Sequence, residues 1–124
     1  TDYNELIKKD FFPFKSNHEK LAMTAHILYK KIDFYNVATF SKKIIKEVIR
    51  KKIGFNGILM SDDISMKALK YDLITNAKKS LEAGCNLVLY CAGNINDNFK
   101  LIKSVPFIDT FTSKKTSEIY KILR

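Results

Sequence analysis

The segment GILMSDDISMKAL, residues 57–69, decides how the rest of the chain is interpreted. It begins as an apolar run without polar alternation, which is typical of a strand covered on both faces in a parallel sheet. The run ends in two adjacent carboxylates, Asp62 and Asp63. Because ligand sites of parallel α/β folds lie at the carboxyl ends of the strands, this pair falls where such a site is expected.

The two carboxylates are expected to have different roles. Successive side chains of a strand point to opposite faces, so Asp62 and Asp63 cannot both face one pocket if the strand continues through them. One carboxylate can then point into a site, while its neighbour or Ser65 caps a helix that begins near Met66. The alternative is that both acids only favour a helix start through the macrodipole. The pair alone does not decide between these interpretations.

The surrounding sequence repeats the order helix, glycine, apolar strand. Ser41 precedes a run of helical periodicity that ends at Gly54, and a second such run ends at Gly84. Two further helices are expected, with Asp97 and Ser113 as their caps. Three strands are expected, near residues 21–27, 57–61 and 86–90. This order predicts parallel α/β units.

Three strands are too few for a complete parallel sheet. Such sheets need helices on their faces and neighbours on their edges, and a three-stranded sheet leaves long apolar edges open. The 124 residues contain no linker or repeat that would divide them, so we expect at most one compact domain. The chain is therefore expected to be part of a larger sheet or barrel.

The net charge of +9 does not by itself indicate a nucleic-acid partner. Of the 22 basic residues only Arg50 and Arg124 are arginines, and the lysines are scattered along every segment. Base reading and bidentate phosphate recognition favour arginine. Lysine-rich solvated faces explain the charge more simply, so we expect no nucleic-acid partner.

The remaining composition indicates a soluble cytoplasmic protein. No apolar stretch approaches the length of a membrane span, and TDYNELIKKDFF lacks the zones of a secretory signal, so no membrane partner is expected. Cys85 and Cys91 lie at opposite ends of NLVLY, roughly 20 Å apart if that run is a strand, which excludes a bridge between them. Reduced thiols suit the cytoplasm. With only two histidines, no metal site or cofactor is expected.

Four segments resemble one enzyme family. The run IGFNGILMSDDISMKAL, residues 53–69, closely resembles the signature of the β-N-acetylhexosaminidases of glycoside hydrolase family 3, in which Ser-Asp-Asp-Leu-Ser-Met follows the seventh strand of a TIM-type barrel. DFFPFK is similar to the family's D-x-x-P-F segment, MTAHILYKKID to its M-T-A-H-V-x-Y-x-x-I-D segment and SLEAGCNLVLYCAG to its S-L-x-A-G-x-D-x-x-L-x-C segment. All four occur in family order across residues 10–93.

The resemblance implies a retaining hydrolysis of terminal N-acetylglucosamine from β-linked saccharides, such as peptidoglycan-derived muropeptides. It makes Asp62 the nucleophile, which forms a covalent glycosyl intermediate through an oxocarbenium-like transition state. His26 matches the histidine of the family's M-T-A-H segment, at the tip of the sixth strand, and is expected to line the substrate pocket. Judged on its own, a strand-end histidine is more often structural. His18, in the polar SNHEK, is expected at the surface.

One element of the family pattern is missing from the sequence. The family's proton donor is a histidine in a K-H-F-P-G-H-G loop after the fifth strand, and this chain holds no such motif. The resemblance therefore implies that residues 1–124 are the sixth to eighth βα units of a TIM (β/α)8 barrel, a C-terminal portion of the catalytic domain. Such a fragment is expected to be inactive and unstable or sticky alone, and a separate chain supplying the first five strands would complete it.

Two other functions stay open at this point. An exposed sheet edge or lysine-rich face could make the chain a non-catalytic interaction module for a partner chain or polyanion. The acidic pair could also bind magnesium in a receiver-like regulator. That fold needs five strands with the pair on its first strand, so three expected strands fit it poorly.

Overall fold

A three-stranded parallel sheet forms the centre of the computed structural model, which describes residues 2–15 and 18–124. The strands lie in the order β1 (Leu21–Met23), β2 (Ile58–Asp63) and β3 (Leu87–Leu89). Between Met60 and Asp63 the register of β2 with β3 is irregular. The prediction of parallel α/β units is therefore confirmed.

Helices and turns connect and cover the strands. Before β1 lie α1 (Tyr3–Glu5), a π-helical turn (Leu6–Asp10) and a 3-10 turn (Phe12–Phe14). Between β1 and β2 lie a 3-10 turn (Ala38–Phe40) and a π-helix (Ile44–Ile53). After β2 come α2 (Leu73–Ala83), α3 (Ile95–Ser104) and α4 (Thr110–Ile122). No helix among the described residues is long and apolar enough to cross a bilayer.

The helix expected after Ser41 is present, with the expected ends. The Ser41 hydroxyl accepts a hydrogen bond from the Ile44 N–H at 3.1 Å, which satisfies one free donor of the first turn. Gly54 ends the helix in the left-handed conformation at φ +82°, where a side chain would be strained. The Gly54 N–H bonds to the Ile49 carbonyl five residues back, so the helix has π-type rather than α-type bonding.

The helix expected near Met66 does not form there. The Met66 N–H bonds to the Asp63 carbonyl at 3.2 Å as part of a turn, and α2 begins later, at Leu73. The carboxylate of Asp72 caps α2 because it accepts from two N–H groups of the first turn. Ser65 cannot do so for an earlier helix, since its hydroxyl donates to Asp63.

The predicted caps of the last two helices are wrong by a few residues. Asn94 caps α3, and Asp97 lies inside its first turn. Asp109 caps α4, four residues before the expected Ser113. In both cases several Asn, Asp and Ser side chains are near the boundary, and the one at the start of the turn reaches the free N–H groups.

The strand boundaries also differ from those expected. The first strand ends at Met23 instead of continuing to residue 27, although the Thr24 N–H still bonds to the Met60 carbonyl at 2.8 Å. The second strand continues through both carboxylates to Asp63. Both acids therefore belong to the strand, as the argument for different roles required.

Two buried clusters attach the helices to the sheet. Ile45 of the π-helix packs with Leu59 of β2 and with Cys85. At the other end of the sheet, Ile64 packs with Ala77 of α2 and with Leu101 of α3. These contacts hold β2 in the middle of the structure and fix where its two acids emerge.

Each outer strand pairs on one side only within residues 2–15 and 18–124. On β1, Leu21 and Met23 are about half exposed. Beside β3 runs an apolar groove of about 650 Å³, bordered on its far side by Pro106, Phe107 and Ile108. Phe107 is fully exposed. Apolar surface of this kind marks an interaction site or an aggregation hazard.

Candidate active site

The two carboxylates lie at the carboxyl end of β2, where segments that follow all three strands meet. His26 comes from the segment after β1, Asp62 and Asp63 are the last residues of β2, and Cys91 follows β3. Asp62 and Asp63 are half-buried between the buried side chains of Ser61 and Ile64. The structure thus brings the two predicted site residues, Asp62 and His26, to the same end of the sheet.

Asp62 has a hydrogen bond on one carboxylate oxygen and none on the other among the described residues. Its Oδ1 accepts a hydrogen bond from the Asp63 N–H at 2.8 Å. Within residues 2–15 and 18–124, no donor reaches Oδ2. A carboxylate oriented through one oxygen and open at the other is suited to nucleophilic attack or to hydrogen bonding with a ligand.

Asp63, in contrast, uses both carboxylate oxygens inside the protein. Its Oδ1 accepts from the N–H groups of Ser65 at 3.0 Å and Cys91 at 3.1 Å. Its Oδ2 accepts from the Ser65 hydroxyl at 2.7 Å. The side chain therefore joins the end of β2 to the turn that follows it and to the end of β3. The two carboxylates therefore differ in their hydrogen bonding, although neither caps a helix near Met66.

These contacts change the acidity of Asp63. Desolvation on its own would raise the pKa of this carboxyl group. The hydrogen bonds from Ser65 and Cys91, with the nearby imidazole of His26, outweigh it, so the pKa of Asp63 lies below its ordinary value. Asp63 is therefore ionised at neutral pH and acts as an acceptor.

His26 contacts the acid pair through the backbone. Its Nε2 lies 2.9 Å from the Asp63 carbonyl oxygen, and its Nδ1 lies 2.8 Å from the hydroxyl of Thr39. Thr39 is completely buried and also lies 2.9 Å from the hydroxyl of buried Thr24. Both ring nitrogens thus have protein partners, and a saccharide could hydrogen-bond to His26 only by displacing one of them.

Sequence reasoning missed Thr39. It lies in the segment between β1 and the π-helix, which has no regular hydrophobic period and gave no signal of a role. The backbone N–H of Cys91 was also missed, because main-chain donors leave no trace in a sequence. Ser65 was singled out as a candidate cap, and the structure shows it bonded to Asp63 instead.

Other acidic side chains near this end are directed elsewhere. The Tyr90 hydroxyl donates to Asp97 Oδ2 at 3.2 Å. Desolvation raises the pKa of Tyr90, and the carboxylates of Asp97 and Asp63 raise it further. A backbone hydrogen bond with Asn94 acts in the opposite direction but is outweighed. The phenol therefore stays protonated at neutral pH. Its hydroxyl donates a hydrogen bond to Asp97 and not to Asp62.

The second histidine lies at the opposite end of the sheet. His18 is exposed, as expected, and lines a polar cavity of about 230 Å³ with Lys20, Gly57 and Lys115. Gly57 precedes β2, so this cavity faces the amino end of the strand. Among residues 2–15 and 18–124, no three His, Cys, Asp or Glu side chains come together as ligands of a metal ion.

Comparison with known families identifies the chain. Residues 1–114 match the model of the glycosyl hydrolase family 3 N terminal domain. The chain belongs to glycosyl hydrolase family 3. This membership makes it a glycoside hydrolase by resemblance and gives the observed α/β sheet its setting in a TIM-barrel-type domain.

Individual relatives agree with this family membership. A β-hexosaminidase of Nitrosomonas eutropha is 40% identical over 95 residues, which cover 73% of this chain and 27% of that protein. The crystal structure of CbsA from Thermotoga neapolitana matches with a TM-score of 0.78 and 29% identity over 99% of this chain and 31% of the other. The β-N-acetylglucosaminidase from Thermotoga maritima matches with a TM-score of 0.70 and 33% identity over 83% of this chain and 24% of the other.

Two facts limit what this membership carries over. The chain spans about a quarter to a third of the length of these relatives. The matched domain is the N-terminal domain of the family, so our sequence-based label of a C-terminal part is corrected: the chain lies in the N-terminal domain.

Proposed function

We propose that the chain contributes the nucleophile, Asp62, of a retaining β-N-acetylhexosaminidase that removes terminal N-acetylglucosamine from β-linked saccharides. The observation that supports this most is the contrast within the acid pair: Asp63 uses both oxygens internally, whereas Asp62 leaves Oδ2 open. In a retaining reaction such a carboxylate attacks the anomeric carbon, and water later hydrolyses the glycosyl ester. The names of the relatives in Nitrosomonas eutropha and Thermotoga maritima support the choice of substrate.

The proposed barrel is larger than this chain. We place residues 1–124 at the sixth to eighth βα units of a (β/α)8 barrel on the family resemblance of residues 53–69, and the one unpaired edge of β1 and of β3 among the described residues supports a larger sheet. The apolar groove along β3 supports this placement, since it has the lining that a neighbouring strand would cover. Closure of the barrel requires the first five units, and we propose that a separate chain can supply them.

The proton donor is proposed to come from those other units. His18 lies at the amino end of the sheet, and the nitrogens of His26 are engaged by Thr39 and Asp63. Without a group to protonate the leaving oxygen, the chain alone is proposed to be inactive. His26 is proposed to line the substrate pocket with its ring, beside the Asp62 carboxylate.

A narrower proposal concerns the setting of the reaction. Peptidoglycan-derived muropeptides are the saccharides that the family resemblance suggests, and the bacterial cytoplasm is the compartment. Cys85 and Cys91 are both free thiols, which is compatible with a reducing compartment.

The test uses a chromogenic β-N-acetylglucosaminide and a mechanism-based fluorosugar. We expect no turnover by residues 1–124 alone, and turnover after the first five units of the Thermotoga maritima relative are supplied. The fluorosugar should then label Asp62, and Asp62→Ala should lower kcat/KM by about a thousandfold or more. Glu82→Gln, which removes an exposed carboxylate on α2, is the control. Labelling of another residue would exclude Asp62 as the nucleophile.

A second candidate function is a non-catalytic interaction module. The unpaired edge of β3 and the exposed Phe107 favour it, because both can dock a partner chain without any chemistry. The same assembly separates the two candidates. Stable association without turnover or labelling would favour the module.

A further inference from the structure

Three side chains form a continuous hydrogen-bonded chain that ends at the acid pair. Thr24 Oγ1 lies 2.9 Å from Thr39 Oγ1, Thr39 Oγ1 lies 2.8 Å from His26 Nδ1, and His26 Nε2 lies 2.9 Å from the Asp63 carbonyl oxygen. Both threonines are buried. Water therefore cannot readily replace either hydroxyl, and the chain has a defined order of donors and acceptors.

The direction of this chain follows from its last member. A carbonyl oxygen can only accept, so the proton of a neutral His26 ring lies on Nε2. The bare Nδ1 then accepts from the hydroxyl of Thr39, which in turn accepts from the hydroxyl of Thr24. The Ala25 carbonyl is a more distant acceptor for the Thr39 hydroxyl, at 3.2 Å. The Asp63 carbonyl thus fixes the tautomer of the neutral ring, and the Thr39 hydroxyl is the partner of its bare Nδ1.

The ring supports the strand at a point where the ladder is interrupted. The pairing of β2 with β3 is irregular between Met60 and Asp63, and there the Leu89 N–H bonds to the Ser61 hydroxyl at 3.0 Å. At this point His26 reaches Asp63 from the side of β1, while Cys91 reaches it from the side of β3. The end of β2 is therefore held from both sides.

We infer that His26, oriented by Thr39 and Thr24, is a positioning residue for the carboxylate of Asp62. The link is the Asp63 backbone: its carbonyl accepts from His26, and its N–H donates at 2.8 Å to Asp62 Oδ1. The carbonyl and the N–H lie in the two peptide planes that meet at the Asp63 Cα, so a shift of this Cα also shifts the hydrogen bond that orients the Asp62 carboxylate. The importance of this orientation for catalysis rests on the proposed function of Asp62. The orientation itself does not.

A merely structural histidine would give different results. If His26 only filled space, an apolar residue of similar size would serve, and the Asp62 carboxylate would not respond. If His26 instead positions Asp63 by donating a hydrogen bond to its carbonyl, the essential feature is an N–H group where Nε2 lies. Glutamine can present such a donor and leucine cannot, so His26→Gln and His26→Leu form a matched pair.

The first measurement is nuclear magnetic resonance of the full 124-residue chain labelled with nitrogen-15. Long-range correlations should show the neutral His26 ring in the Nε2–H tautomer alone. The amide proton of Asp63, which bonds to a carboxylate, should resonate downfield. His26→Leu should move this resonance upfield and speed its exchange with solvent by about tenfold or more, while His26→Gln keeps both close to wild type.

Three results would overturn the inference. They are an averaged tautomer in the wild type, an unchanged Asp63 amide in His26→Leu, and a His26→Gln amide as perturbed as that of His26→Leu. The Leu59 amide, which bonds to Asn86 at the other end of β2, is the internal control for global loosening. If His26→Leu does not fold, Thr39→Val keeps the imidazole and removes the hydroxyl that orients it. It should perturb the Asp63 amide in the same direction, and an unperturbed amide would also contradict the inference.

A second measurement separates this inference from the proposed function. In the completed barrel, His26→Leu should slow fluorosugar labelling and lower kcat about tenfold, with KM changed by less than about twofold. Labelling of Asp62 at an unchanged rate would overturn the positioning role and leave the nucleophile in place. If His26→Leu perturbs the Asp63 amide but the fluorosugar does not label Asp62 in the wild-type barrel, the positioning role stands and Asp62 is excluded as the nucleophile.

Discussion

The two ends of the central strand β2 use their polar side chains in opposite ways. At the amino end, Arg50 of the π-helix donates to the carbonyls of Phe55 at 3.1 Å and Gly57 at 2.8 Å. It also donates to Asn86 Oδ1 at 2.8 Å, and Asn86 donates onward to Thr112 of α4 at 3.0 Å. Every polar group named here has a protein partner, and the network joins the π-helix and α4 to the segments that precede β2 and β3.

The guanidinium group of Arg50 has no carboxylate partner in this network. It lies 5.3 Å from the ring centre of Phe55 and 5.6 Å from that of Phe111. Burial lowers the pKa of Arg50, although a guanidinium stays charged at any ordinary pH. Carbonyl oxygens and aromatic faces stabilise the charge in place of an acid.

The carboxyl end concentrates its hydrogen bonds on Asp63 and leaves Asp62 with an open oxygen. The comparison shows a division along one strand between an end that is bonded internally and an end that leaves an acceptor open. In TIM-type barrels the amino face holds the structure together and the carboxyl face carries the reactive groups. The four predictions that follow test this division, from the largest expected effect to the smallest.

The largest effect is expected from Arg50→Ala. The substitution removes donors from three acceptors and a cation from two rings, so we expect a loss of roughly 3 kcal/mol in the free energy of unfolding. Lys51→Ala on the same helix removes an exposed ion pair with Glu47 and should change the free energy of unfolding by less than about 0.5 kcal/mol. Chemical denaturation measures both. Equal effects would mean that the amino end is not a stabilising network.

The next effect is expected from Gly57→Ala, also at the amino end. A Cβ there would lie 2.5 Å from the backbone carbonyl oxygen of Lys20, and backbone cannot move aside as a flexible side chain can. We expect a loss of about 2 kcal/mol or more. Gly54→Ala is the control: its Cβ would meet nothing within 4 Å, so only the strain of its positive φ remains, about 1 kcal/mol. A costlier Gly54→Ala would contradict the close approach of Lys20.

A smaller effect, dependent on pH, is expected from Asp63→Asn. The pKa of Asp63 is lowered in the folded protein, so its carboxylate stabilises the fold above its unfolded pKa, and this stabilisation is lost as the pH falls through the lower, folded value. The difference in unfolding free energy between wild type and Asp63→Asn should therefore be largest near neutral pH and shrink below about pH 4. Denaturation curves between pH 7 and 3 measure it. A difference that grows on acidification would contradict the contacts of Asp63.

The smallest effect concerns the two thiols, one at each end of β3. Cys85 is buried, and desolvation raises its pKa to about 11. A hydrogen bond from Thr24 and the charge of Arg50 lower this pKa, but desolvation outweighs them. Roughly one molecule in a thousand then carries the thiolate at pH 8. Cys91 is exposed. Iodoacetamide should modify Cys91 in the folded chain and Cys85 only after denaturation, as peptide mass mapping can show. Equal modification of both thiols in the folded chain would exclude an amino end of β3 that is closed to solvent.

Local sequence signals predicted the parts of the fold that depend on neighbouring residues. Ser41 and Gly54 mark the ends of the π-helix as expected, because caps act on N–H and carbonyl groups within one turn. The caps Asp97 and Ser113 were wrong, since several suitable side chains lie near each boundary. The helix expected at Met66 was wrong for another reason: a residue distant in sequence, Cys91, donates to the Asp63 side chain at the end of β2, and a turn follows the strand instead.

For the candidate site, too, local sequence predicted some features, whereas others depend on residues that are distant in sequence. The alternation of strand side chains predicted different roles for Asp62 and Asp63, but the pair alone did not exclude that both only favour a helix start. The family resemblance singled out Asp62, whereas the pattern of residues could not say which acid would keep an open oxygen, because that depends on donors from Ser65 and Cys91. The pattern also could not show that Thr39 would be the partner of His26 Nδ1.

The amino-acid sequence by itself determined the parallel α/β order, the position of the acid pair and the family of the chain, because these depend on periodicity and on contiguous motifs. Only the tertiary structure decided that Asp63 is the internal acceptor and that Asp62 keeps an open oxygen. The physical reason is that hydrogen bonds act over about 3 Å and join groups that are 13 to 37 residues apart in this chain. Which donor comes within that distance is decided by how the three strands align.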